Sequence, residues 1–168
     1  MISNKRALSI AAATLLIVAC AFYAASVATP LWGTQQYLGL YQITVGLWRY
    51  CLDSTCADVG SSCDTTLSGC SKLLATRAFM ILACVIPAFT VIILVVMAIK
   101  DQYDRPLIYA SIALAWLSTA CGLIGMVIGI YWTLHGTGLT LGASGIAAIV
   151  GVSINFIGAA LTSALAAL

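Results

Sequence analysis

Between Arg49 and Arg77 the chain gathers the residue types that carry most protein chemistry. They are the thiols Cys51, Cys56, Cys63 and Cys70, the carboxylates Asp53, Asp58 and Asp64, and the cations Arg49, Lys72 and Arg77. Thiols at this density either cross-link a segment too small and polar to hold itself by burial, or bind zinc. The intervals of four, six and six residues are not the paired Cys-x-x-Cys of a structural zinc site, and no His lies in the segment. Two disulfides in an oxidising compartment are therefore the expectation, with zinc as the rival. Four cysteines allow three connectivities, and the pairing is not readable from the sequence. In water, Asp53, Asp58 and Asp64 could line a path that favours cations; the plainer reading is a solvated face whose charge Arg49 and Lys72 nearly cancel.

Catalysis finds no such cluster. The single His135 stands in a Gly-rich turn with no carboxylate or thiol close by in sequence, and the chain has no Glu. The five aspartates lie outside the apolar runs, so no carboxylate relay crosses them. No catalytic residue, metal, cofactor or small-molecule substrate is expected. Cys20, Cys84 and Cys121 lie inside apolar runs and read as small buried hydrophobes. Asn155 reads as a helix-to-helix hydrogen bond. A net charge of +2 without a basic stripe excludes nucleic acid as a partner.

The elements that position these residues follow from composition. With 62% hydrophobic and 7% charged residues and a mean hydropathy of +1.10, the chain is not an ordinary soluble domain. Four apolar runs, about 7–29, 73–99, 107–132 and 142–168, are each long enough to span a bilayer, so residues 1–168 read as one four-span domain under a polar cap at about 30–72. The first run also allows a cleavable signal peptide, with Lys5 and Arg6 before it and Ser26-Val27-Ala28 as the cleavage site. Pro30 ends the first helix, and Trp32 falls at the depth of an interfacial aromatic belt. Residues 37–45 alternate aromatic and β-branched types and predict one or two strands; 53–69 has turn chemistry. Arg77 is expected at the outer interface, and Pro87 predicts a kink whose freed carbonyl the bundle must satisfy.

Lys5, Arg6, Lys100 and Arg105 crowd the N-terminus and the short link before the third span, against Arg49, Lys72 and Arg77 in the cap. With the disulfides sending the cap outward, both termini are expected to be cytoplasmic. Gly122, Gly125, Gly129, Gly151 and Gly158 keep small residues on the last two spans. They predict close packing inside the bundle or, through Gly125 and Gly129, a homodimer.

Trp32, then Gly46-Leu47-Trp48, then Cys51 and a further cysteine, followed by Leu74-Ala75-Thr76-Arg77-Ala78-Phe79-Met80, resembles the signature of the claudin superfamily. That superfamily includes claudins, peripheral myelin and epithelial membrane proteins, and channel gamma subunits. The resemblance covers nearly the whole chain. It implies an all-α membrane fold, a left-handed four-helix bundle with a small extracellular antiparallel sheet from the first loop. It further implies Trp48 as an anchor where sheet meets bundle and a disulfide from Cys51 to Cys63, leaving Cys56 with Cys70. By the same resemblance the expected function is a non-enzymatic plasma-membrane protein of cell-cell contacts such as tight junctions. It would form or regulate a paracellular barrier or channel by lateral self-association in the lipid bilayer. The alternative is an auxiliary gamma-type partner of a channel pore subunit, for which Arg49 directly after Gly-Leu-Trp speaks.

Overall fold

The computed structural model describes residues 2–37, 41–59, 70–100, 103–136 and 139–167. Four helices carry the chain: α1 (Ile2–Ala28), α2 (Cys70–Lys100), α3 (Arg105–Tyr131) and α4 (Ala143–Ala164). Each is long and apolar enough to cross a bilayer, and by length and composition they are the helices of a multi-pass membrane protein. Ile17, Phe89, Ile92, Val127 and Phe156 point outward, while Ser9, Thr76, Thr90, Ser111, Ser118 and Asn155 are buried. This inverts the pattern of a soluble bundle. Lipid exacts no penalty for exposed hydrocarbon, whereas hydroxyls and amides take partners from a neighbouring helix, as Ser9 and Ser118 do, or from the preceding turn of their own, as Thr76, Thr90 and Ser111 do.

The helices pack in a ring, α1 against α2 and α4, and α3 against α2 and α4. Between α1 and α2 run β1 (Gly33–Tyr37), β2 (Tyr41–Val45), β3 (Arg49–Leu52) and β4 (Thr55–Asp58). Between α3 and α4 come a short π-helical turn, Trp132–Gly136, and β5 (Thr140–Leu141). The five strands form one antiparallel sheet in the order β4-β3-β2-β1-β5. The sheet thus begins at Gly33, earlier than the alternation at 37–45 indicates, and the segment after α3 adds a strand where the sequence reads only as a turn. α2 starts at Cys70, three residues before the apolar run, because the end of the cap winds straight into the helix.

Two buried clusters form the core. One runs without a break from the sheet into the bundle through Trp32, Leu47, Leu73, Met80, Tyr23 and Trp132. The other, around Leu16, Leu94, Met97, Ile108 and Leu165, closes the far end. The helical glycines serve these clusters. A methyl group at Gly125 would lie 3.0 Å from Met80 and one at Gly158 3.0 Å from Leu16, while Gly122 and Gly151 face Tyr23 and Gly129 faces the Trp32 ring. Gly125 lies against Met80 and Phe79 of α2, and Gly129 against Trp32 and Thr76, so the close approach this pair permits is used within the chain.

A buried polar thread crosses all four helices where α2 contains Pro87. Proline cannot donate to the carbonyl four residues earlier, Ala83, so that oxygen loses its helical partner. Ser118 Oγ of α3 donates to Ala83 O at 3.1 Å. Asn155 Nδ2 of α4 donates to Ser118 Oγ at 2.8 Å and to Tyr23 Oη of α1 at 3.3 Å. Asn155 is thus the helix-to-helix hydrogen bond its position predicts, and its chain of partners ends on the carbonyl that proline frees.

Candidate interaction surface

Five residues from three segments fix the sheet on the bundle. Trp32, expected in an interfacial belt, is instead fully buried: its Nε1 donates to Ser26 O at 2.8 Å, and its ring fills the slot opposite Gly129. Gly46 packs directly on the backbone of Pro30, with no room for a Cβ, so the chain after β2 can descend onto the end of α1. Leu47 then inserts its side chain into the core and is fully buried.

Arg77 takes up the backbone that this turn exposes. It is 4% exposed. Its Nε donates to Leu47 O at 2.7 Å and its Nη2 to Val59 O at 3.3 Å, while the guanidinium lies 4.4 Å from the Trp48 ring centre. A planar fork with several donors suits two carbonyls and a ring face at once, which one ammonium cannot match. Trp48 covers this cation and remains 40% exposed, so the buried anchors of sheet to bundle are Leu47 and Trp32.

The structure corrects the disulfide pairing that the resemblance implies. Cys51 bonds Cys56, not Cys63, because the Asp53-Ser54 turn folds β4 back on β3 and sets the two cysteines directly opposite, Cα atoms 4.0 Å apart. Cys70 is disulfide-bonded as well; Cys63 and Asp64 lie outside the described residues. Asp53 occupies the turn with φ 55°, a left-handed conformation that Asp tolerates better than most side chains. Asp58 accepts from Arg49 Nε at 2.8 Å across the two strands, both groups exposed, so its charge is matched within the hairpin.

Strand register separates the two faces of the sheet. Val45 opposes Tyr50, Thr44 opposes Cys51 and Ile43 opposes Leu52. Thr44 and Cys51 are buried, so the covered face carries the disulfide. The other face carries Tyr41, Ile43, Tyr50 and Leu52, of which Tyr41, Tyr50 and Leu52 stand exposed, while Val45 at the end of β2 packs against the core. An outward aromatic and aliphatic face on a rigid sheet is the composition of a protein interface. It borders β4, whose residues are all exposed and whose outer side pairs with no strand among the described residues. At the opposite margin Lys72 Nζ sits 4.5 Å from the Tyr131 ring centre, and that ring stacks on His135 at 4.6 Å. His135 is accordingly an exposed residue of the turn after α3.

Several participants escape sequence reasoning. Tyr23 and Ser118 carry no pattern that marks them as hydrogen-bond partners of Asn155. Leu31 and Trp32 accept, through their carbonyls, from Ser144 N at 3.0 Å and Gly142 N at 2.8 Å, and so cap the start of α4. Backbone acceptors leave no trace in residue types; only Pro87 signals a free carbonyl. No protein-family model matches this chain, and no curated protein matches it.

Proposed function

We propose that this chain is a claudin-like, non-enzymatic membrane protein of cell-cell contacts that associates laterally through its sheet, with the cap outside the cell and both termini in the cytoplasm. The reading rests on one observation, the exposed Tyr41, Tyr50 and Leu52 face bordering the open strand β4. The disulfide and the Arg77 fork hold this surface rigid, so association would cost little ordering. An open strand also pairs with its own copy around a twofold axis, which gives lateral assembly a ready geometry. The arrangement of Trp32, Gly46, Leu47, Trp48 and Arg77 around one joint gives the resemblance to claudins a physical rationale. Asp53, exposed and without a matched cation among the described residues, is then the carboxylate that would bias such an assembly towards cations.

Expression of the full chain in non-adherent cells tests the proposal. Enrichment at contacts, with strands in freeze-fracture, is expected, and Tyr50→Glu with Leu52→Glu should abolish it without reducing surface expression. Diffuse distribution, together with co-purification of a channel pore subunit, would replace it with the auxiliary-subunit reading.

A further inference from the structure

At the end of the bundle opposite the sheet, the starts of α1 and α3 and the end of α4 enclose a cleft of about 420 Å³. Its walls include Lys5, Arg105, Tyr103 and Tyr109, over the buried Ile108 and Leu165. Neither Lys5 nor Arg105 forms an ion pair or side-chain hydrogen bond with any described residue, and among the described residues no carboxylate lines the cleft; the nearby Asp104 is exposed and not part of its wall. The starts of α1 and α3 each contribute roughly half a positive charge and the end of α4 roughly half a negative one, so with the two side chains the described residues leave the cleft positive.

Depth identifies the ligand. Lys5 and Arg105 each stand two residues before an apolar run long enough to span a bilayer, 7–29 and 107–132, which sets both at the level of the lipid phosphates. Two unmatched cations over an apolar floor, opening beside the exposed Tyr109, match a phosphate whose acyl chains continue into the membrane. We infer that this cleft binds the headgroup of an anionic phospholipid, with Lys5 and Arg105 holding the phosphate and Ile108 and Leu165 supporting the glycerol region. The inference is independent of which side of the membrane this end faces.

The full chain, purified in a neutral detergent, is titrated with dioctanoyl phosphatidylglycerol, and bound lipid is counted by native mass spectrometry alongside thermal stability. Saturable binding at one site is expected, weakened about fivefold by Lys5→Gln or Arg105→Gln and about thirtyfold by both. Lys5→Arg with Arg105→Lys should retain it, as should Lys72→Gln at the far end. Should the double glutamine variant not fold, the single variants carry the comparison. Equal binding of dioctanoyl phosphatidylcholine, or unchanged affinity in the glutamine variants, overturns the inference. Binding of free glycerol phosphate as tight as that of the lipid overturns the membrane source.

Discussion

Arg77 shows how one side chain can hold a joint together. Arg77→Lys keeps the charge but cannot serve Leu47 O, Val59 O and the Trp48 ring together. It should lower stability by about 2 kcal/mol, read as thermal unfolding of the purified protein in mild detergent. A lysine variant as stable as the parent would deny the fork its role. Gly129→Ala should cost about 1–3 kcal/mol in the same assay, because the added methyl group overlaps the Trp32 ring. Gly158→Ala should cost less, since its nearest neighbour is the Leu16 side chain at 3.0 Å rather than a closer ring. The residues of this joint are legible in the sequence by type and spacing, but their roles are not. Arg77 answers to two backbone carbonyls, which have no sequence signature, and Trp32 turns inward because a glycine far along the chain makes room for it.

Among the elements, the hairpin of β3 and β4 and the interrupted helix α2 each make a measurable claim. Removing the bond with Cys51→Ser and Cys56→Ser should destabilise the hairpin by about 2 kcal/mol on the chain-entropy estimate. Amide exchange should then quicken in Arg49–Asp58 and stay slow in β1 and β2; uniform quickening would mean that the bond supports the whole sheet. Ser118→Ala should cost about 1 kcal/mol more in the parent than in a Pro87→Ala background, where the Ala83 carbonyl regains its helical donor and only the bond from Asn155 is lost. Equal costs in both backgrounds would break the link between the two residues. The helices are readable in the sequence because lipid demands about 20 apolar residues at a stretch. β2 is readable from its alternation, whereas β5 is two residues long, too short to show a period. The Cys51 to Cys56 pairing did leave a signal. The two cysteines stand symmetrically about Asp53 and Ser54, the place where a two-residue turn would put them face to face.

For the whole molecule, the proposed orientation makes the cap accessible only from outside. On sealed cells, an impermeant maleimide should label the cap thiols after treatment with an impermeant reductant and not before it. Labelling without reductant, or only after permeabilisation, would invert the topology. The four-helix outline was legible because composition alone dictates it. The way the sheet joins the bundle was not, since it depends on contacts between segments far apart in the chain. One of these contacts bears on how the protein is made. The carbonyls of Leu31 and Trp32 wait for amides at Ser144 and Gly142, and β1 waits for Thr140 and Leu141 to cover its free side. A ribosome must therefore release the chain as far as Ser144 before the first strand of the sheet can be covered. The nascent chain stays exposed to chaperones and proteases throughout synthesis, and a premature stop ahead of the last helix would discard the head of the protein along with its tail.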